Sequence, residues 1–274
     1  MKIAIIISQR DIAGKNIKEC LLEKDIFTHS DRYFQDFPIY CGKINTHLVS
    51  LFTISDETIY SENLDKKIDA EIFIFATRHQ SESGKPSFSV HTPGNFSKAE
   101  YGGTDRKLCI SFPTLMKTAL IELKKNNTLS HEITLEATHH GPFLEKPAMF
   151  IEIGSSSVDW ENKEAGVILS DSLINAIALF DSRKYSNAIG FGGSHYCTGF
   201  NDIMLNSDVA FGHICPKYMF GCLDEEIIFQ MINRSNEKPD LVILDWKGLG
   251  SEKQKLIDIL NKLNINYIKT KEIS

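Results

Sequence analysis

This 274-residue chain has no long hydrophobic run, no paired cysteine motif and no surplus of positive charge. The apolar stretch at residues 3–7 is too short for the core of a secretory signal, and Arg10 and Asp11 follow it at once. No stretch reads as the ~20 continuous apolar residues that a membrane span requires. The six cysteines (Cys20, Cys41, Cys109, Cys197, Cys215, Cys222) include no C-x-x-C pair, which predicts free thiols in a reducing compartment. A cytoplasmic protein with no membrane partner is therefore expected. Thirty Lys plus Arg stand against 36 Asp plus Glu, a net charge of −6. Proteins that coat nucleic acid by bulk charge are basic, so any such contact here has to be local. Common chemical signatures are missing too: no H-E-x-x-H, no G-x-S-x-G elbow and no G-x-G-x-x-G phosphate loop.

What the chain does have is an ordinary globular balance, 42% hydrophobic and 24% charged, which excludes disordered, collagen-like and coiled-coil classes. A chain of this length buries roughly three quarters of its unfolded surface and needs no disulfide or structural metal for its core. Short runs rich in Ile, Val and Phe recur at 3–8, 71–77, 132–138, 149–153, 188–191, 209–212 and 241–245. Continuous rather than alternating apolarity predicts strands covered on both faces, as in a mostly parallel sheet. Segments of helical period lie between them. One opens at Pro113 and carries Leu115, Ala119, Leu120 and Leu123; another carries Ile168, Leu173, Ile177 and Phe180. Asp224 is placed to cap a helix over 225–234, and Ser251 to cap one carrying Leu256, Ile259, Leu260 and Leu263. The alternation predicts a three-layer α/β/α fold with a mixed, mostly parallel sheet, as one domain over 1–274. Residues 79–103 read as a long loop or loop–strand–loop near the site.

Polar residues collect where the predicted strands end. Arg78 and His79 follow the second run, and His139, His140, Gly141 and Pro142 the third. Glu152 sits inside an apolar run that ends in Gly154, Ser155, Ser156 and Ser157; Ser194, His195 and Tyr196 follow Gly193. His213 ends another run, and Asp245, Trp246, Lys247 and Gly248 end the last. Open α/β sheets bind ligands beyond the carboxyl ends of their strands, so these endings predict a site there. Successive residues of a strand face opposite ways, but the Gly-Pro after His140 would let both imidazoles converge. At least one is then a metal ligand or general base; otherwise one is a satisfied core histidine and its neighbour merely exposed. Glu152 must either pair with a structural cation or serve as acid, base or ligand. The serines of 155–157 either face an oxyanion or simply cap a helix.

Taken together, the segments resemble the archaeal D-aminoacyl-tRNA deacylase family, which also occurs in plants. The similarity begins at Asp11-Ile-Ala-Gly-Lys-Asn-Ile17 and continues through Arg78-His79, Ser81, Ser83-Gly84, Pro86, Val90-His-Thr-Pro-Gly-Asn95 and Tyr101-Gly-Gly103. Its strongest blocks are Glu136-Ala-Thr-His-His-Gly-Pro142 and Ile151-Glu-Ile-Gly-Ser-Ser156. Later come Gly190-Phe-Gly-Gly-Ser-His-Tyr196, Phe211-Gly-His-Ile214, Pro216-Lys-Tyr218 and Leu244-Asp-Trp-Lys-Gly-Leu249. One departure is that Tyr196 is followed by Cys197-Thr-Gly-Phe200, where the family pattern often has Pro and Arg. A basic substrate contact is then absent or supplied elsewhere, and Cys197 is either a ligand or a bystander.

The resemblance implies hydrolysis of the ester between a D-amino acid and the 3′-terminal ribose of tRNA. It also implies zinc, a monomer, and a phosphorylase/hydrolase-like fold. The site expected from residues and resemblance together has His139, His140, Glu152, Ser155 and His195 as catalytic groups. His91, His139, Glu136 and His213 are the expected zinc ligands. Substrate contacts are expected from Arg78, His79, Lys85, Asn95, Ser156, Tyr196, Lys217 and Lys247, which would meet the acceptor end of the tRNA. Lys98, Arg106 and Lys107 complete the expected basic rim, and the C-terminal lysines 262, 269 and 271 are expected to lie outside it. Two competing classes remain at this point: a metal-dependent amidohydrolase or carboxypeptidase-like enzyme, and a non-catalytic tRNA-binding protein.

Overall fold

A computed structural model describes residues 1–82 and 84–273, so Ser83 of the motif segment lies outside the described residues. The chain opens with β1 (Lys2–Ser8) and α1 (Ile12–Leu22), then a meander of β2 (Phe27–Phe34), β3 (Phe37–Ile44) and β4 (His47–Ile54). Next come β5 (Ile72–Arg78), β6 (Ser87–His91), α2 (Pro113–Asn126), β7 (Glu132–Leu135) and β8 (Ala148–Gly154). The short α3 (Ser157–Trp160) and the long α4 (Lys163–Leu179) lead to β9 (Ser186–Phe191), α5 (Thr198–Asn206) and β10 (Val209–Cys215). The chain closes with α6 (Glu225–Asn233), β11 (Leu241–Leu244), α7 (Lys253–Lys262) and β12 (Ile268–Lys269).

The fold is a mixed, mostly parallel α/β arrangement, divided between two sheets. The larger has the order β2-β3-β4-β1-β5-β8-β6-β7, and the smaller, all parallel, the order β10-β9-β11-β12. The runs at 188–191, 209–212 and 241–245 therefore build their own sheet. Helix α2 packs against strands of both sheets and against α4 and α5. Between residues 79 and 103 the structure is loop–strand–loop, with β6 as the strand.

Period two decides what each face of the large sheet buries. In β1, β5 and β8 the residues Ile3, Ile5, Ile7, Ile72, Ile74, Met149, Ile151 and Ile153 pack with α1, α2 and α4. The alternate residues Ala4, Ile6, Phe73, Phe75, Ala148 and Phe150 face a second cluster closed by Leu64, Ile68, Cys109 and Leu144. That second face is covered by loops and short 3₁₀ turns. Helix starts follow the side chains available: Asp11 accepts from the Gly14 amide at 2.7 Å, and Asn162 from those of Glu164 and Ala165. Asp224 caps α6 by accepting from Ile227, whereas Ser251 lies outside α7, whose N-cap is Glu252. The stretch Lys163–Ser182 has the length and apolarity of a membrane span, contrary to the reading of the sequence. More than half of it is buried, and α4 packs on α1 and α2, so it is a core helix.

Candidate active site

The loop-covered face turns polar toward the carboxyl end of β8. Glu152 lies on the same face as Phe150, in register with Thr77 of β5 and Ser89 of β6. Because β6 runs antiparallel to β8, its alternate residues Ser87, Ser89 and His91 point to this face; Ser89 Oγ donates to Glu152 Oε2 at 3.0 Å. Strand β7 stops at Leu135. The amides of Ala137 and Thr138 then bond the carbonyls of His195 (2.8 Å) and Ile214 (3.1 Å), joining the two sheets at the site. His140 adopts a left-handed backbone (φ 39°), uncommon outside glycine, and the alternation of side chains is broken. His139 and His140 consequently both meet His91, with ring centroids 4.1 and 4.8 Å away, and each other at 4.3 Å. Phe150 stacks under His91 at 4.9 Å as the floor. The loop after β9 brings His195 to 4.4 Å from His139.

Hydrogen-bond partners fix the tautomers. The Nδ1 atoms of His139 and His140 face the carbonyls of Ala137 (2.8 Å) and Gly141 (2.7 Å), which only accept. Each Nδ1 therefore carries a proton and donates it. Burial and the neighbouring His91 and His140 hold His139 well below the usual imidazole range; burial and His91 hold His140 down to about 4. Both are neutral near pH 7, with bare Nε2 lone pairs. His195 Nε2 donates to Glu136 Oε2 at 2.9 Å, and Tyr218 lends its hydroxyl to His195 Nδ1 at 3.4 Å. Burial pushes the Tyr218 phenol up to about 12, so it stays protonated.

His79 is the opposite case. Burial opposes its charge, but the hydrogen bond to Glu152 and the field of Glu136 outweigh it and raise its pKa to about 9. Its Nδ1 lies 3.2 Å from Glu136 Oε1 and 3.5 Å from Glu152 Oε2, and its Nε2 lies 3.3 Å from Tyr196 Oη. Tyr196 in turn donates to Ser81 at 2.6 Å. Both carboxylates are held below the ordinary range despite burial: Glu136 by His195 and His79, Glu152 by His79 and His91. One imidazolium thus faces two buried carboxylates.

The same residues fit a divalent cation. His91 is fully buried, and neither ring nitrogen has a hydrogen-bond partner. Its Nε2 lies 3.8 Å from Glu152 Oε1, and the bare His139 Nε2 lies 3.6 Å from Glu136 Oε2. Those gaps are too long for hydrogen bonds and close to the roughly 3.3 Å between tetrahedral zinc ligands ~2.0 Å from the metal. Three overlapping sets bring ligand atoms within 4.8 Å of one another: His91, His139 and His140; Glu136, His139 and His195; His79, Glu136 and Glu152.

Other expected site residues are engaged elsewhere. His213 is buried between Thr138 Oγ1 (3.2 Å) and the Arg234 carbonyl (2.9 Å), so it has no lone pair left for a metal. Burial lowers its pKa to about 4. The amides of Ser155 and Ser156 both donate to Asp159 Oδ2 at 3.0 Å; the Ser156 hydroxyl joins them at 2.7 Å, and that of Ser155 donates to the Lys85 carbonyl. These serines complete a helix cap, and an oxyanion hole here is corrected on that ground. Asn95 clasps its own loop, donating to the Gly102 carbonyl. Arg78 pairs with Glu57 and lies over Trp160; Lys85 pairs with Glu132. Cys197 is a buried thiol whose pKa burial pushes up, and its sulfur contacts the carbonyls of Ser194 and His195. Lys217 and Lys247 are exposed at the carboxyl ends of β10 and β11. Ser89, Ser81 and Tyr218 belong to the site and were not expected there. The alternation Ser87, Ser89, His91 was the available signal for the first.

Two cavities flank the cluster. One, about 500 Å³, is lined by His140 with Tyr101, Gln80 and Ile59; the other, about 550 Å³, by Tyr196 and Ser155 with Lys85, Thr134 and Asn201. Against this geometry the comparisons are specific. The profile of the D-aminoacyl-tRNA deacylase family matches residues 66–268. The D-aminoacyl-tRNA deacylase of Thermococcus onnurineus is 39% identical over 97% of this chain and 98% of its own length. Those of Pyrococcus furiosus and Archaeoglobus fulgidus are 38% and 31% identical, over 97% and 98% of this chain and 98% and 96% of theirs. The crystal structure of the conserved protein of unknown function AF0625 superposes with a TM-score of 0.87 at 30% identity, covering 100% of this chain and 96% of that one. With its length, its motifs and its fold all matched, the chain belongs to the D-aminoacyl-tRNA deacylase family.

Proposed function

We propose that the protein hydrolyses the ester joining a D-amino acid to the 3′-terminal ribose of tRNA, releasing free tRNA. The observation that carries this reading is the buried His–Glu cluster, with ligand atoms left unpartnered, in a chain of this family. Zinc suits a donor set of neutral imidazoles beside carboxylates, with His91, His139 and His140 as its holders. When bound, it would polarise the ester carbonyl and acidify a water molecule. Glu136, oriented by His195, takes the proton of the attacking water and returns it to the departing ribose oxygen as the acyl C–O bond breaks. His79, charged at neutral pH, offsets the two buried carboxylates and holds Glu136 and Glu152 in place. The two flanking cavities are each of ligand-pocket size, one for the aminoacyl group and one for the terminal nucleoside. We further infer a monomeric, cytoplasmic enzyme, which rests on the six free thiols and on the family resemblance.

The test is release of amino acid from D-tyrosyl-tRNA and from L-tyrosyl-tRNA by the metal-replete protein. The expected result is turnover of the D-ester with the L-ester spared. Equal turnover of both, or of neither, overturns the reading.

A further inference from the structure

The small sheet is parallel throughout, so β9, β10, β11 and β12 all present their carboxyl ends at one edge. From β9 that edge delivers His195; from β10, Lys217 and Tyr218; from β11, Trp246 and Lys247; from β12, Lys269. Their loops are bonded together. Gly193 donates to the Gly248 carbonyl at 3.0 Å, Lys217 donates to the Gly193 carbonyl at 3.1 Å, and Tyr218 reaches His195. Trp246 holds the amines of Lys253 and Lys269 at 4.1 and 4.3 Å from its ring centroid. Two like charges sharing one indole repel each other unless an anion joins them. Among the described residues, no carboxylate lies within 4.0 Å of the side-chain amines of Lys217, Lys247, Lys253 or Lys269, although the Glu272 carboxylate accepts from the Lys269 backbone amide at 2.6 Å. The neighbouring Lys255 and Lys262 differ: the first caps the carbonyls of Phe220 and Gly221, and the second pairs with Glu225. Residues 245–273 hold six lysines against four carboxylates in a chain of net charge −6.

We propose that this edge, Lys217, Lys247, Lys253 and Lys269 around Trp246, is the docking surface for the phosphate backbone of the tRNA acceptor stem. The proposal rests on the deacylase reading above. Strand spacing sets the surface beside the catalytic cluster: β9 to β12 is two steps of about 4.8 Å. A polyanion seated there has its acylated end next to His195. It also revises the expectation that Lys269 lies outside the basic rim. Neutralising four phosphates of a duplex stem gives a slope of about −3.6 for log K against log salt, and each lysine removed takes about 0.9 from it.

The experiment measures binding of D-tyrosyl-tRNA and KM in a salt series for the wild type, for Lys253→Glu/Lys269→Glu, and for the gentler Lys253→Gln/Lys269→Gln. The account expects at least a tenfold loss of affinity in the reversal pair and a salt slope lower by about two in both. KM for D-tyrosyl-tRNA should rise at least tenfold relative to KM for the short ester D-tyrosyl-adenosine. Lys262→Glu and Lys184→Glu serve as controls, with affinity within twofold of the wild type. If both double variants bind tRNA as the wild type does, the surface is wrong. If the wild type itself spares D-tyrosyl-tRNA, the deacylase reading is what has failed.

Discussion

The turns that follow β7 and β8 are equally polar, one carrying His139 and His140 and the other Ser155 and Ser156, yet their polar atoms are in opposite states. Each of the two imidazoles donates one proton to a carbonyl and keeps one bare nitrogen turned toward carboxylates or His91. The serines keep nothing: both amides and both hydroxyls are bonded to Asp159 or to the Lys85 carbonyl. Polar residues at a strand end become chemistry only with what remains after the fold's own hydrogen bonds are made. A buried lone pair left over is costly, and a ligand is what relieves the cost.

Removing metal should produce the largest contrast between the two turns. A chelator is expected to lower kcat/KM for D-tyrosyl-tRNA at least 10³-fold, about 4 kcal/mol of transition-state stabilisation, with added zinc restoring it. Full activity in protein shown to be metal-free would erase the contrast. The next effect concerns pH in the metal-free protein. His79 is raised from 6.5 to about 9, so its stabilisation is complete below about pH 6.5 and is lost as pH rises through 9. Linkage puts that loss at roughly 3 kcal/mol, and His79→Gln should flatten the dependence in denaturant titrations across this window. An unchanged slope in the variant would show that His79 is not the group responsible. Smaller still is Asp159→Asn, which weakens the acceptor of the serine turn. We expect about 1–2 kcal/mol of destabilisation, seen as a Tm drop of roughly 2–8 °C, with kcat within threefold of the wild type. A large fall in kcat without unfolding would give that turn a chemical role.

How much of this was legible beforehand follows the range of the interactions. The runs at 3–8, 71–77 and 149–153 are buried on both faces and are strands of the large sheet, because continuous apolarity is a local signal. That the runs at 188–191, 209–212 and 241–245 form a separate sheet depends on long-range pairing, which no local pattern contains. In the meander β2 to β4, β2 escaped notice because it is largely exposed and mixes Thr28, Ser30 and Arg32 with few apolar residues, and β3 because it is only partly buried. The apolar, mostly buried β4 was a local signal passed over. Within the site, Glu152 was conspicuous as a carboxylate in an apolar run. Ser89 was hidden because residues 79–103 read only as a long loop or loop–strand–loop, with the strand inside it not placed. His213 looked as suitable a ligand as His91; only the positions of Thr138 and the Arg234 carbonyl tell them apart.

The most direct test is to measure deacylation of D-tyrosyl-tRNA by His139→Ala and Ser155→Ala side by side, with circular dichroism verifying the fold of each. The account predicts a loss of at least 10³-fold in kcat for His139→Ala, whose Nε2 is one of the few unengaged lone pairs, and less than threefold for Ser155→Ala. Near-normal turnover by folded His139→Ala, or a collapse of activity in folded Ser155→Ala, would contradict it.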